Sequence, residues 1–486
     1  MEFDYKFRRQ FIIKTGSGPE GWISENLSNK QTLFVHKDLG LLKVEKGNRK
    51  LILLGFIIDP DSYNDGNLDI IGNLLDNSND FKSLIDKTLS LSGRWIIIYQ
   101  DEDGVKLIHD PSGIRQVYYT HDFKIIGSNP SIINSFCQQN LRDDYKFKQY
   151  IESKFYNVNE MEWYGNRTFY SNIYKLLPNH YLDITHNNVK RFWINLKKVS
   201  YNENINRVCE ILVNELKAIN IRDYDIIQSL TSGFDSRIIL GASLKANTNF
   251  RYFISTMNIL NQDSSDIKIA KKILEDYNRE LEIIDNLEEL DEDFLYIYDK
   301  NIDNANILPK TLTIQYFYKL NKNYLHISGN ASAVFKDYYN KSWVKNGEEI
   351  SELIGIPKNL TFFNDYFENW IKEVQNFCRN NNMDMMKLFY WENRLPNWGA
   401  QYIQEADIAI EEYPPFNNRE IFLRLIHASM DKNVSQEMMF NDILKNLDPN
   451  LLSYPINPKN NKEKFKSFMK SKLSKRSWEK LKIIFK

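Results

Sequence analysis

Thr231, Ser232, Gly233, Phe234, Asp235 and Ser236 place three hydroxyls, one glycine and one carboxylate directly after the apolar run DIIQSL at residues 225–230. A small-residue loop between a buried strand and a helix can hold an anion, because free amide N–H groups and the positive end of the helix dipole converge there. Gly233 would let the backbone approach a phosphate closely, and Asp235 would orient a hydrated Mg²⁺ rather than the phosphate itself. The pattern is neither G-x-x-x-x-G-K-[ST] nor G-x-G-x-x-G, which excludes Walker-type and dinucleotide-type loops at this position. A plain helix start uses the same residues: Asp235 or Ser236 as a cap, Gly233 as a turn. Taken alone, the loop leaves both readings open.

The elements that must position this loop follow from the apolar pattern. From about Val199 the chain alternates an amphipathic helix (NRVCEILVNELKAINI), a buried strand (DIIQSL), a helix (RIILGASLKA), a strand (FRYFIST) and a helix (SSDIKIAKKILEDY), which predicts a parallel α/β sheet. Before it, KLILLGFIID and GRWIIIYQ read as strands, and DEDG at residues 101–104 reads as a hairpin turn leading into VKLIHD and VYYT. DIIGNLLDN and FKSLIDKTL carry helical periodicity, while the stretch TFYSNIYKLLPNHYLDITHNNVKRFW predicts two strand-like segments split at a Pro-Asn turn. After about Asp337 the expectation is mostly helix. The expected organisation is a strand-rich α+β domain over residues 1–198 and an α/β domain over 199–486, as suits 486 residues.

With 42% hydrophobic residues, 26% charged residues and a net charge of −1, bulk electrostatics gives no indication of a nucleic-acid partner. Cys137, Cys209 and Cys378 lie far apart with no CxxC, so neither zinc nor a disulfide framework is expected and a reducing compartment is. The first residues lack the apolar core of a signal peptide, and no run approaches the ~18–20 apolar residues of a membrane span. A cytoplasmic location is expected.

Several separated segments, in order, carry a resemblance. LTSGFDS (Leu230 to Ser236) resembles the L-S-G-G-x-D-S pyrophosphate loop of the asparagine synthetase family, with Thr231 for Ser and Ser232 for the first Gly. SSDIKIAKKI, with Asp266 ahead of Ala270, is similar to that family's next helix. LHISGNASAVFKDYY falls where the family has S-G-E-G-x-D-E-x-F-x-G-Y, and FYWENRLPNWG followed by IEEYPPFNNREIFLRLI resembles its later helix and R-x-P-F-L-D segment. In the first half, LSGRWIIIYQDEDGVKLIHDPSGIRQVYYT and IYKLLPNHYLDI…VKRFW resemble the glutamine-amidotransferase domain.

The resemblance implies an amidotransferase-like (Ntn-type) α+β sandwich followed by an ATP-pyrophosphatase-like α/β domain, with ATP and Mg²⁺ as cofactors. It assigns pyrophosphate to Leu230, Thr231, Ser232, Gly233, Asp235, Ser236, Ser328 and Gly329, the metal to Asp235, and adenine to the backbone near Ser255 and Met257. The family's catalytic lysine would correspond to Lys459, with Lys462 next to it, and Glu392 in YWENR would be a base facing the acceptor amine. A solvated surface lysine, and an ion pair of Glu392 with Arg394 or Arg237, are the alternative readings of those residues.

Three departures qualify these implications. The family's glutaminase uses a Cys exposed by removal of Met1, and here Glu2 stands there, so that hydrolysis lacks its thiol. Asn330, Ala333 and Val334 stand where the second motif has Glu, Asp and Glu, removing a hard oxygen ligand for Mg²⁺, with Asp337 as a substitute. Ser232 puts a side chain where the family has Gly. The resulting expectation is an ATP-dependent amide-forming ligase that joins a small-molecule or peptide carboxylate to an amine that no glutaminase of its own supplies. β-Lactam synthetases and lasso-peptide macrolactam cyclases are branches with the same loss. The alternative is a catalytically inactive homologue acting as a binding or assembly partner.

Residues 459–486 carry eleven Lys/Arg against two Glu, with large apolar residues interspersed. They read either as a basic amphipathic helix for an anionic membrane surface or acidic partner, or as a final helix packed on the α/β domain. Neither the acid, the amine nor the oligomeric state is encoded legibly.

Overall fold

A computed structural model describes residues 6–158, 162–303, 305–431 and 433–458. Glu2, Lys459, Lys462 and the basic segment that follows lie outside the described residues.

The first part consists of two six-stranded antiparallel sheets. One contains, in spatial order, β10 (Ile173–Lys175), β8 (Tyr118–Thr120), β9 (Ile126–Gly127), β1 (Phe11–Lys14), β3 (Thr32–Val35) and β2 (Ile23–Asn26). The other runs β12 (Asn188–Arg191), β11 (His180–Asp183), β7 (Gly104–His109), β6 (Ser92–Asp101), β5 (Arg49–Ile58) and β4 (Leu41–Lys46). Alternation along each strand sends Phe11, Ile13, Leu33 and Val35 of one sheet against Ile52, Leu54, Ile96 and Ile98 of the other, forming one shared core. The opposite side chains of β5 and β6, including Leu51, Leu53, Trp95 and Ile97, pack on helices Asn67–Asn77 and Phe81–Lys87. The β6–β7 turn closes where expected, with Gly104 at φ 115°, a region open to glycine. The segment after the Pro-Asn turn departs from expectation. It forms two strands rather than one, since Asn187 at φ 50° turns β11 back onto β12.

The second part is a five-stranded parallel sheet in the order β15 (Leu281–Ile284), β14 (Arg251–Ser255), β13 (Asp225–Ser229), β16 (Tyr324–Ile327), β17 (Glu411–Tyr413). Helix Phe234–Lys245 connects β13 to β14, and helix Ser265–Asp276 connects β14 to β15 beyond it. The chain then crosses back through helices Glu292–Asn301 and Pro309–Leu320 to enter β16 on the other side of β13. The strand order therefore reverses between β13 and β16, the kind of position at which open α/β sheets bind ligands beyond the C-terminal strand ends. After Asp337 the described chain is mostly helical, as expected, apart from β17. Three residues, two of them glutamates, carry no apolar signal, and pairing with β16 makes them a strand.

The two parts share a polar seam. Arg94 donates both Nη groups to Asp407 (2.8 and 2.9 Å) with no exposed surface, and Arg115 and Arg9 complete the cluster with Asp407 and Glu411. Burial acts to raise the Glu411 pKa, but Arg115, Arg94 and Arg9 outweigh it and hold the carboxyl below its ordinary range. Glu215 accepts hydrogen bonds from Ser92 Oγ, from Tyr413 Oη at 2.9 Å and from Asn418 Nδ2 at 3.3 Å. Among the described residues no helix is long and apolar enough to cross a membrane.

Candidate functional site

The 231–236 loop lies at the end of β13, and its hydrogen bonds run both within the loop and to neighbouring elements. Ser236 Oγ accepts the Thr231 amide at 3.1 Å and lies 3.0 Å from Thr231 Oγ1, which in turn accepts the Gly233 amide at 3.2 Å. The Leu230 amide donates to Phe253 O of β14 (3.1 Å). Ser232 donates both its amide (2.9 Å) and its hydroxyl (2.6 Å) to Asp266 Oδ1 at the start of helix Ser265–Asp276. The Ser232 side chain is thus turned toward that helix and buried. Gly233 is the N-cap of helix Phe234–Lys245, and no side chain caps it, which leaves first-turn amides to solvent or a ligand.

A second loop packs directly against the first. Ser328 donates its amide to Tyr413 O (3.1 Å) and its hydroxyl to Glu412 Oε1 (2.6 Å), and Asn330 Nδ2 donates to the same oxygen. A Cβ on Gly329 would lie 2.9 Å from the carbonyl carbon of Asp235 and from Ser236 N, so only glycine permits this approach. Ala331 holds φ 68°, left-handed backbone that an L side chain adopts at a cost. On the other flank, Ser255 Oγ is 2.6 Å from Thr313 Oγ1 and accepts the Met257 amide at 3.3 Å, with Met257 and Asn258 both left-handed. Ser255 at the end of β14 and the segments after β14, β13 and β16, which hold Met257, the 231–236 residues, Ser328 and Gly329, thus lie at the same end of the parallel sheet.

Two residues inside the segment LHISGNASAVFKDYY are given no role by its motif. His326 Nε2 is 2.9 Å from Ser229 Oγ, and its Nδ1 is 3.7 Å from Glu412 Oε2, across three adjacent strands. Burial lowers the His326 pKa despite the Glu412 charge, so the ring is neutral at neutral pH. This row exists because β13, β16 and β17 pair with Ile227 opposite His326 and His326 opposite Glu412. Lys336 is a second such residue. Its Nζ lies 2.6 Å from Asp235 Oδ2, while Asp235 Oδ1 is buried without a hydrogen-bond partner.

The side chains do not fit a protein-held Mg²⁺. Asp235 is paired with an ammonium, Ala333 and Val334 offer no oxygen side chain, and Asp337 pairs with Lys387 Nζ at 3.0 Å. Among the described residues no group of three or more His, Cys, Asp or Glu is arranged to hold a metal ion.

Glu392 lies in a single buried π-helical turn spanning Tyr390–Arg394, with no exposed surface. Its Oε1 accepts from Arg191 and from Asn179 (3.0 Å), and its Oε2 from Trp370 Nε1 (2.8 Å). Burial favours its neutral form, but Arg191, His180 and Asn179 prevail and hold the carboxyl below its ordinary range. Its ion-pair partner is Arg191 rather than Arg394 or Arg237. A base facing an amine needs an open face, and this carboxylate joins the two parts of the molecule instead. Arg394 pairs with Glu162 (3.2 Å), and Arg237 donates to the carbonyls of Ser232, Leu451, Tyr454 and Pro455, tying residues 451–455 to the loop. Cys209 and Cys378 are buried, and desolvation pushes both thiols up to about 12, so neither is a nucleophile at neutral pH.

No family model matches the chain, and no curated protein matches it. Among solved structures, glutamine phosphoribosylpyrophosphate amidotransferase from B. subtilis complexed with ADP and GMP aligns at 11% identity over 68% of this chain and 70% of that one, with a TM-score of 0.23. A structure described as the allosteric regulatory enzyme of purine biosynthesis aligns at 12% identity over 73% and 74%, with a TM-score of 0.24. At these TM-scores neither likeness carries an argument about fold or activity.

Proposed function

We propose that the crevice between the 231–236 and 328–334 loops binds ATP, and that the protein uses it to activate a carboxylate for amide formation. The observation that carries this reading is the position of both loops at the C-terminal ends of β13 and β16, where the strand order reverses. The helix that starts at Gly233 has no side-chain cap, and Gly329 packs against its first turn. In the proposed reaction a carboxylate oxygen attacks the α-phosphorus and pyrophosphate leaves; an amine then attacks the acyl carbon and AMP leaves. The activated carbonyl exchanges a poor leaving group for a stable one. The amine comes from solution or from the substrate itself, and carboxylate and amine are small molecules or peptide groups.

A second reading, nucleotide binding without turnover in a partner protein, is favoured by the pairing of Asp235 with Lys336 and by the enclosure of Glu392. Photolabelling with 8-azido-ATP, followed by peptide mapping and an assay for AMP release with a panel of acids and amines, separates the readings. The ligase predicts ATP-protected label near residues 255–258 and AMP formed with at least one acid. Label without AMP across the panel supports the second reading. Label elsewhere, or none, contradicts both.

A further inference from the structure

We propose that Lys336 takes the place of a protein-bound divalent cation in this crevice, so that a nucleoside triphosphate binds without metal. The inference rests on the nucleotide reading above and concerns how that site balances charge.

A carboxylate in the first turn of a phosphate-facing helix repels the ligand unless a cation stands between them. Asp235 is such a carboxylate, and the cation beside it is the Lys336 ammonium, 2.6 Å from Oδ2. A second cation in the same place would meet a like charge at contact distance. Nor do neighbouring carboxylates compensate: Asp266 accepts from Ser232, Glu412 accepts from Ser328 and Asn330, and Asp337 pairs with Lys387. Each of these acidic groups around the loop is thus already matched by a donor on the protein.

The lysine is held where it can act. It follows the short helix Ser332–Phe335, its ammonium lies 5.4 Å from the centroid of the Phe440 ring, and that ring stacks on Phe234 of the loop at 5.2 Å. The side chain is partly exposed, with 22% of its surface accessible. An ammonium has three N–H donors, and Asp235 accepts one of them. The others can meet phosphate oxygens, where a charge-assisted contact is worth about tenfold in affinity or more.

Calorimetric titration of the full chain with ATP, in EDTA and in Mg²⁺, tests the inference together with Lys336→Met and Lys336→Arg. The expected result is wild-type binding that changes less than about threefold between the two buffers. Lys336→Met should weaken binding about tenfold in EDTA and recover part of it in Mg²⁺, since Asp235 is then released for a cation. Lys336→Arg should keep the wild-type pattern. Wild-type binding only in Mg²⁺, or a folded Lys336→Met unchanged in EDTA, would overturn the inference while leaving the nucleotide reading intact. No binding by wild type in either buffer would remove the nucleotide reading and the inference with it. Should Lys336→Met fail to fold, the wild-type comparison alone decides.

Discussion

Two buried ionisable groups give the molecule opposite responses to pH. Desolvation raises the Glu215 carboxyl to about 8, despite hydrogen bonds from Ser92, Tyr413 and Asn418, so the folded protein favours its neutral form. Between the unfolded value near 4.5 and the folded value, the unfolded chain releases this proton more readily, and stability falls as pH rises. Desolvation lowers Lys175 to about 7; its ammonium donates to Pro396 O (2.8 Å) beside a cavity of about 50 Å³ shared with Tyr118, Trp163 and Arg167. Here the unfolded chain binds the extra proton between about 7 and 10.5, so stability rises with pH over that window. Urea unfolding from pH 5 to 9.5 checks both slopes, each on the order of 1 kcal/mol per pH unit. Glu215→Gln should remove the fall below pH 8, and Lys175→Met the rise above pH 7. A variant with the wild-type slope in its window would show that its group is not the source. Neither residue stands out in the sequence, because burial by distant elements rather than local pattern perturbs them.

At the scale of elements, the crevice is a meeting of two loops whose backbones nearly touch. Gly329 faces backbone atoms of Asp235 and Ser236, which cannot swing aside as a flexible side chain would. Gly329→Ala should therefore cost about 1–3 kcal/mol in urea unfolding and separate the loops enough to abolish ATP binding. Two residues later Ala331 sits at φ 68°, so Ala331→Gly should stabilise by about 0.5–1 kcal/mol. Equal stabilities for wild type and both variants would contradict this account of the loop pair. Most of the elements themselves were legible. β5, β6, β7, β13 and β14 are apolar runs bounded by turns, and the helices around them carry a clear period. The β11–β12 turn and β17 were not, since an Asn in left-handed backbone and a three-residue strand have signals too short to read alone. The 231–236 loop is visible in the sequence as a small-residue turn between an apolar strand and a helix, a pattern that a plain helix start shares. Its partner Lys336 lies 101 positions from Asp235, a distance only folding closes.

Across the whole molecule, the antiparallel sheets and the parallel sheet are joined by charges that neither part can satisfy alone. Arg94 has no exposed surface, and Asp407 is its bidentate partner across the seam. Removing one member of a buried pair leaves the other desolvated and uncompensated. Asp407→Ala should cost about 3–5 kcal/mol and, in scanning calorimetry, turn one cooperative transition into two as the parts uncouple. A single transition of unchanged midpoint would mean the seam contributes little. The sequence could not disclose this cluster, because Arg9, Arg94, Arg115, Asp407 and Glu411 come from separated segments.

The central claim is that the crevice at the ends of β13 and β16 is a nucleotide site, and hydrogen exchange of the full chain with and without saturating ATP reads it directly. The account predicts slowed exchange in peptides covering residues 228–237 and 326–336, with little change in the antiparallel sheets. Unchanged exchange at both loops, or protection confined to another region, would contradict it.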